Sequence, residues 1–328
     1  MTNKDQMKIL ITGVAGFIGF SLAKDLLLTN KKVKIYGIDN FDNYYSKKIK
    51  TLRVKDLKKF KKFKFSKIDI HKRKELLNFF KNKQFTHIVH LAAQAGVRFS
   101  QVNPKKYLNN NIFGFMNLIE CSLLKKPKLI VYASSSSVYG DLKKLPAKEI
   151  DELNPINVYA MSKKVNELIA KFCSSYYNIN FVGLRYFTVY GEWGRPDMFL
   201  FKLFKAFHSK KTFFLNNSGN HYRDFTYIDD VINYTKKIIF KKKLKRKNYI
   251  FNICSNNPIK ITKIISFFQK KIGKIKIKKI KRNKLDVKDT HGNNKLVKSF
   301  TKFKEFTNYK NGILNSYKWY KENKIYKL

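Results

Sequence analysis

Short apolar runs alternate with amphipathic stretches along the first half of the chain. Runs rich in β-branched and aromatic residues are typical of buried strands, whereas apolar residues three and four positions apart predict helices. Five runs predict strands: MKILIT (7–12), KVKIYGI (32–38), FKFSKI (63–68), HIVHLAA (87–93) and KLIVYAS (128–134). Helices are predicted at 17–28, 106–124 and 159–177, and the last is followed by a sixth strand at 179–187. This alternation predicts an α/β protein with a doubly wound parallel sheet that carries helices on both faces.

The pattern becomes irregular after residue 190, where we predict helices near residues 197–209, 227–240 and 261–272. Neither an internal repeat nor a flexible linker separates this half from the first. We therefore expect two lobes that pack directly on each other. Residues 1–187 would form the sheet, and residues 188–328 mainly a smaller, mixed C-terminal lobe, with some exchange of chain between the two.

Composition excludes a mainly disordered chain, because 44% of the 328 residues are hydrophobic and 15% are aromatic. Lysines lie in nearly every segment and bring the formal net charge to +48. Such a charge favours anionic ligands and weak, salt-sensitive contact with polyanions. No helix-turn-helix, zinc-finger or RNA-binding motif accompanies the lysines, so no specific nucleic-acid partner is expected. No apolar run reaches the ~18 residues of a membrane span.

Three cysteines, Cys121, Cys173 and Cys254, are spread far apart along the chain. Their small, odd number and wide spacing predict neither a disulfide framework nor a zinc site, so no metal is expected. The N-terminus carries an acid and reaches a glycine turn at once, which is unlike a signal peptide. We therefore expect the reducing environment of the cytoplasm.

A glycine-rich turn, GVAGFIG (13–19), places Gly13, Gly16 and Gly19 between the first predicted strand and the first predicted helix. Such a turn brings backbone N–H groups and a helix N-terminus close to a pyrophosphate, as in Rossmann-type dinucleotide-binding domains. Asp39 ends the second strand 20 residues after Gly19. An acid there can accept hydrogen bonds from a ribose 2′-hydroxyl and repel a 2′-phosphate. The predicted cofactor is therefore NAD rather than NADP.

Neighbouring residues are expected to complete the cofactor site. Asp69 follows the third strand and could contact the adenine. The alternative is that Asp69 is only an acid in a surface turn. The segment LAAQAG (91–96) supplies small residues where the fourth strand would approach the dinucleotide. The remaining residues assigned to this site are Phe17, Ile18, Asn40, Ile70, Leu91, Ala92, Ala93 and Tyr186.

Tyr159 and Lys163 form a YxxxK motif at the start of a predicted helix, which places both side chains on one face. A neighbouring ammonium and a cationic nicotinamide ring would lower the pKa of the phenol from its ordinary ~10. The phenolate could then take a proton from a sugar hydroxyl as a hydride leaves the same carbon. The motif gains weight from the glycine turn and from ASSSSVYG (133–140), a serine cluster directly after the fifth strand.

Together these motifs resemble the nucleotide-sugar epimerases of the extended short-chain dehydrogenase/reductase family, over most of the chain. The resemblance implies that Ser135 is the hydroxyl that partners Tyr159. The related 4,6-dehydratases carry Asp and Glu in the next two positions, where this chain has Ser136 and Ser137. Elimination therefore lacks its acid and base. Ser136 and Ser137 are expected to bind substrate, and Ser134 to support the backbone.

Longer strings narrow the resemblance to the UDP-glucuronate 4-epimerases. They are QAGVRFS (94–100), ASSSSVYG (133–140), YAMSKKVNELI (159–169), LRYFTVYGEWGRPDM (184–198) and RDFTYIDD (223–230). This resemblance implies that Arg195 and Thr188 contact the sugar, with Arg195 as the partner of its carboxylate. A brace of Arg195 to Asp197 within WGRPDM is the alternative.

Three further residues receive roles from the same resemblance. Arg223 would meet the nucleotide diphosphate, and Arg98 would add positive charge by the phosphates. For both arginines a surface ion pair is the alternative. Asn111 would lie near the active site and the cofactor.

The activity that the resemblance implies is an NAD-dependent 4-epimerisation of UDP-glucuronate to UDP-galacturonate through a transient 4-keto sugar. Residues 1–187 would bind NAD and carry the catalytic residues, and residues 188–328 would mainly bind the nucleotide sugar. A UDP-glucose or UDP-N-acetylglucosamine 4-epimerase, a UDP-glucuronate decarboxylase and a non-catalytic NAD-binding module are the alternatives. The family also implies a homodimer, in which helices such as 106–124 and 159–177 pair with their copies.

Overall fold

A computed structural model describes residues 6–245, 247–283, 285–303 and 306–327. The strands are β1 (Met7–Thr12), β2 (Val33–Asp39), β3 (Phe63–Lys67), β4 (His87–His90), β5 (Leu129–Ser135), β6 (Asn180–Tyr186), β7 (Thr188–Tyr190), β8 (Phe213–Asn216), β9 (Tyr222–Tyr227), β10 (Asn248–Ile253), β11 (Pro258–Lys260) and β12 (Ile277–Ile280). Seven of them form a parallel sheet in the order β10-β6-β5-β4-β1-β2-β3. The predicted doubly wound parallel sheet is confirmed.

Helices surround this sheet and fill the smaller lobe. In the described part of the chain they are α1 (Phe17–Thr29), α2 (Lys47–Leu57), α3 (Arg73–Lys81), α4 (Phe99–Val102), α5 (Pro104–Tyr107), α6 (Gly114–Ser122), α7 (Val158–Tyr176), α8 (Phe199–His208), α9 (Ile228–Ile239), α10 (Ile261–Lys271), α11 (Lys295–Thr301) and α12 (Tyr309–Glu322). Within the same ranges, no helix has both the length and the apolar character that crossing a membrane requires.

The strands of the large sheet are apolar on both faces because helices cover both faces. Along β1, Ile9 and Ile11 pack into one core with α1 and α9, whereas Leu10 between them packs into a second core with α3, α6 and α7. All three side chains are fully buried. Since successive side chains of a strand point to opposite faces, a strand buried on both sides is a continuous apolar run, which is why these strands could be predicted.

The second half of the chain contributes to both lobes. Strand β10 returns to the large sheet and pairs with β6 at its edge, and the other late strands form the small sheets β11-β9-β7 and β12-β8. These late strands were not predicted, because the alternation of strand and helix patterns becomes irregular after residue 190. The domain boundary at residues 187 and 188 stays a prediction, although the chain does leave the large sheet there, between β6 and β7.

The helix predicted at 106–124 is not one regular α-helix, and that prediction is wrong in detail. A π-helical turn, Leu108–Phe113, separates α5 from α6, and a 3-10 turn, Leu123–Lys125, follows α6. Such π-helical turns inside helices occur frequently at functional sites. Here the turn carries Asn111, whose buried side chain points toward the loop after β4.

Candidate active site

A cavity of about 910 Å³ lies at the carboxyl ends of the large sheet and extends to the smaller lobe. Ligands of open parallel sheets bind at this edge. Predicted residues that line the cavity are Gly13, Gly16, Phe17, Ile18, Gly19, Asp39, Asn40, Asp69, Ile70, Leu91, Ala92, Ala93, Arg98, Ser135, Ser136, Ser137, Tyr159, Lys163, Tyr186, Thr188, Arg195 and Arg223. Asn111 does not belong to its lining.

The glycine turn runs so close to the end of β4 that side chains are excluded. A Cβ atom at Gly13, whose φ is +69°, would lie 2.6 Å from the backbone nitrogen of Ala92. A Cβ atom at Gly19 would lie 2.3 Å from the carbonyl oxygen of Gly13. At these two glycines only backbone can face the cavity, and the N-terminus of the 13-residue helix α1 lies behind them. This arrangement suits a pyrophosphate.

Asp39 lies at the end of β2, where it can reach a ribose. Its Oδ2 accepts a hydrogen bond of 3.1 Å from the backbone N–H of Ala15, and its Oδ1 accepts one of 2.9 Å from that of Phe41. Burial raises the pKa of this carboxyl, and Lys50 acts in the opposite direction. Each carboxylate oxygen has a further lone pair, so both can still accept from ribose hydroxyls.

Asp69 lies beside Asn40 at the end of β3. The Asn40 amide donates a hydrogen bond of 2.9 Å to Asp69, which also pairs with the His71 imidazole at 3.0 Å. Asp69 is thus both an acid in a turn and part of the cavity lining, so the two interpretations of it are compatible.

Lys163 lies in the first turns of α7, which starts where the Asn157 side chain accepts a hydrogen bond of 2.9 Å from the Ala160 N–H. The Lys163 ammonium donates a hydrogen bond of 2.8 Å to the carbonyl oxygen of Ala133 on β5. Burial lowers the pKa of Lys163 to about 8, and the negative charge of Glu167 acts in the opposite direction.

The protein groups that act on the pKa of Tyr159 differ from those expected. Burial raises it above the ordinary value, whereas a hydrogen bond with Ser135 and the positive charge of Arg195 lower it. Lys163 is not among the groups that act on it. The protein alone therefore does not produce the lowered pKa expected from a neighbouring ammonium, because desolvation of the phenolate outweighs the nearby charge.

The four serines have different environments. Ser135 ends β5, and its Oγ accepts from the Ser137 N–H at 3.2 Å and lies 2.9 Å from the Ser137 hydroxyl. Ser136 and Ser137 begin a 3-10 turn that faces the cavity. The buried Ser134 donates a hydrogen bond of 2.5 Å to Glu167. Its side chain therefore acts in a contact that sequence analysis did not predict.

Arg195 forms a two-pronged pair with Asp197. Its Nε and Nη2 atoms donate to the two carboxylate oxygens at 3.0 and 2.5 Å. The two side chains are 21% and 22% exposed. Tyr44 donates a hydrogen bond of 3.3 Å to Asp197 and lies under the Arg195 guanidinium. Asp197 and Tyr44 both line the cavity, and neither was predicted as a site residue.

Arg98 and Arg223 both line the cavity and have different partners. Arg98 pairs with Asp286 at 2.6 Å and is half exposed, which matches the alternative of a surface ion pair. Arg223 instead donates to the carbonyl oxygens of Lys288 at 2.6 Å and Val287 at 2.7 Å. It thereby holds the segment that covers this end of the cavity.

Asn111 supports a loop and does not face the cavity. Its side chain accepts from the Gln94 N–H at 2.7 Å and donates to the Gln94 carbonyl at 3.1 Å and to Ser162 at 2.9 Å. The contact of Asn111 with the cofactor stays a prediction, which these hydrogen bonds do not support. Gln94 itself lines the cavity, so Asn111 supports the shape of this loop.

A profile of the NAD dependent epimerase/dehydratase family matches residues 9–254, which include the glycine turn, the serine cluster and the YxxxK motif. This chain belongs to that family. The predicted family is thereby confirmed. So is the cofactor, NAD, whose pyrophosphate and ribose fit the glycine turn and Asp39 as described above.

Two curated members of the epimerase/dehydratase family are similar over nearly the whole chain. Protein CapI of Staphylococcus aureus is 38% identical over 96% of this chain and 99% of its own length. UDP-glucuronate 4-epimerase 5 of Arabidopsis thaliana is 37% identical over 96% of this chain and 75% of its own. Among solved structures, UDP-glucuronic acid 4-epimerase of Bacillus cereus, in complex with UDP-glucuronic acid and NAD, superposes with a TM-score of 0.91. It is 30% identical and covers 97% of this chain and 100% of its own.

Proposed function

We propose that this chain is an NAD-dependent nucleotide-sugar 4-epimerase that interconverts UDP-glucuronate and UDP-galacturonate through a 4-keto sugar. The observation that carries the proposal is the convergence of Tyr159, Lys163 and Ser135 in one cavity with a dinucleotide turn. Its likeness to UDP-glucuronate 4-epimerases of Arabidopsis thaliana and Bacillus cereus supports this choice among sugar epimerases.

Tyr159 is the proposed base. It takes the proton from the C4 hydroxyl while Ser135, which lies beside the phenol, holds that hydroxyl in place. NAD would be held by the glycine turn and Asp39 and would supply the acceptor for the C4 hydride. Lys163 provides a fixed ammonium in the same buried site. After the 4-keto sugar has rotated in the site, Tyr159 returns the proton to the same C4 oxygen as the hydride returns to C4, so the reaction needs no net oxidant.

The sugar end of the cavity offers several partners for a carboxylate. Ser136, Ser137 and Thr188 contribute hydroxyl groups, and Arg195 contributes a guanidinium. A uronate carboxylate that enters without a partner would be costly, so these donors favour an acidic sugar. Because Arg195 is already paired with Asp197, the uronate carboxylate must either share the guanidinium with Asp197 or displace Asp197 from it.

We also propose that the enzyme is a cytoplasmic homodimer. On α6, one of the helices expected to pair, Phe115, Leu118 and Ile119 are fully buried in the core of the subunit. On α7, the other helix expected to pair, Leu168, Phe172 and Tyr176 are 59%, 61% and 71% exposed. This surface is the proposed interface. The three cysteines are free and buried, which is consistent with a reducing compartment.

The decisive experiment incubates the purified protein and NAD with UDP-glucuronate and identifies the products by NMR. UDP-galacturonate is the expected product. A pentose with released CO₂ would mean a decarboxylase, and turnover of UDP-glucose or UDP-N-acetylglucosamine alone would mean a neutral-sugar epimerase. No turnover of any of these sugars would leave a non-catalytic NAD-binding protein. Tyr159→Phe serves as the inactive control.

A further inference from the structure

Glu167 lies one helical turn after Lys163 and two turns after Tyr159, on the same face of α7. Its carboxylate accepts three hydrogen bonds. The Ser134 hydroxyl donates at 2.5 Å, and the Nε and Nη2 atoms of Arg185 donate at 2.9 and 2.7 Å. The Arg185 and Glu167 side chains are 4% and 9% exposed. This buried ion pair has no role in the proposed chemistry so far.

The partners of Glu167 come from two adjacent strands, directly beside the site. Ser134 on β5 is paired in register with Arg185 on β6, and the next pair along is Ser135 with Tyr186. Both members of that next pair line the cavity. Glu167 therefore ties the helix that carries Tyr159 to the two strand ends that carry Ser135 and Tyr186.

Arg185 is held on its other side as well. Its Nη1 atom donates to the Tyr139 hydroxyl at 2.7 Å and to the carbonyl oxygen of Glu149 at 3.1 Å. Burial raises the pKa of the Glu149 carboxyl, and Arg185 acts in the opposite direction. Arg185 is thus the positive charge that balances the acids behind the active site.

The surroundings of Lys163 contain few other charges. On α7 it faces Tyr159 and Glu167, and on β5 it contacts the neutral carbonyl of Ala133. On β4 the nearby imidazole is His90, whose pKa burial and the Lys163 charge lower to about 3, so it is neutral at working pH. Glu167 is therefore the nearby group whose charge favours the ammonium form of Lys163.

We propose that Glu167 and Arg185 are positioning residues with opposite effects on Lys163. Glu167 holds Lys163 in its charged form, and Arg185 weakens this effect because it pairs with Glu167. This inference rests on the proposed function, in which the Lys163 ammonium is required. The pair also links α7 to the ends of β5 and β6. If this link were its only role, removing either side chain of the pair would affect the enzyme in the same way.

The two members of the pair can be tested against each other. Glu167→Gln removes a negative charge, so Lys163 loses its proton at lower pH and the fall of activity with rising pH begins earlier. Arg185→Gln leaves Glu167 uncompensated, so the same fall moves to higher pH. For each variant we expect a displacement on the order of one pH unit. The matched control is Ser134→Ala, which removes a hydrogen bond from the same carboxylate, keeps both charges and should leave the profile in place.

The measurements are the pH dependence of kcat/KM for UDP-glucuronate with saturating NAD, and the unfolding temperature of each NAD-bound protein. Displacements in opposite directions support the proposal. Displacements in the same direction, or unchanged profiles with lower unfolding temperatures, overturn it. If one variant does not fold, the other still decides by the direction of its displacement relative to Ser134→Ala. Wild-type protein inactive on every sugar would instead refute the proposed function, before any variant is compared.

Discussion

Two roles of Arg195 can be separated by changing its partner, Asp197. One role is to bind the uronate carboxylate, and the other is to brace the turn that contains both residues. Asp197→Asn keeps the shape of the side chain and its ability to meet Tyr44, but removes the negative charge that now occupies the guanidinium. If Arg195 binds the uronate carboxylate, the wild-type enzyme must weaken this pair whenever a uronate binds. The substitution removes that cost and should tighten uronate binding.

The size of the effect follows from the geometry of the pair. Removing one partner of a fully buried ion pair costs ~3–5 kcal/mol. The two-pronged contact here is close, at 3.0 and 2.5 Å, but both side chains are about one-fifth exposed, so solvent screens it in part. After a discount for this screening, the expected gain in uronate binding free energy is ~1–3 kcal/mol, which corresponds to a roughly five- to 150-fold lower Kd. A neutral sugar, which has no carboxylate, should gain nothing.

Calorimetry in the Tyr159→Phe background, which prevents turnover, can measure the Kd of UDP-glucuronate and of UDP-glucose. In the matched variant Arg195→Ala, uronate binding should weaken by ~2–5 kcal/mol and UDP-glucose binding should change little. If Asp197→Asn weakens the binding of both sugars equally and lowers the unfolding temperature, Arg195 is a brace of its own turn. That result would refute the carboxylate role and favour a neutral-sugar epimerase.

Three further predictions test the cofactor site, the base and the assembly. Tyr159→Phe should keep NAD bound but lose most of the ~10²–10⁴-fold that a general base contributes; near-normal turnover would refute the mechanism. Asp39→Ala should weaken NAD binding and reduce the preference for NAD over NADP, because the carboxylate no longer repels a 2′-phosphate. Titration with both cofactors measures this preference, and an unchanged ratio of the two affinities would contradict the prediction. Light scattering at micromolar concentration should show a dimer for the wild-type protein. Phe172→Lys should convert it to a monomer, because the charge of the introduced lysine would be buried in the apolar interface. A wild-type monomer would exclude the proposed dimer.

The sequence by itself determined six of the seven strands of the large sheet and the position of the cofactor turn. Strands such as β1 and β5 are buried on both faces, so their continuous apolar runs are visible without any knowledge of their neighbours. GVAGFIG and the YxxxK motif are also local, because a turn or one face of a helix fixes the relation between their residues. All the predicted residues except Asn111 therefore line the same cavity.

Only the tertiary structure decided which charges meet and which side chains lose water. The pair of Glu167 with Arg185 joins a helix to a strand, and Asn111 turns toward Gln94, so no spacing along the chain reveals either contact. Strand β10 joins the large sheet from a distant part of the chain. The raised pKa of Tyr159 has the same origin, because desolvation depends on everything that packs around the phenol and not on its position relative to Lys163.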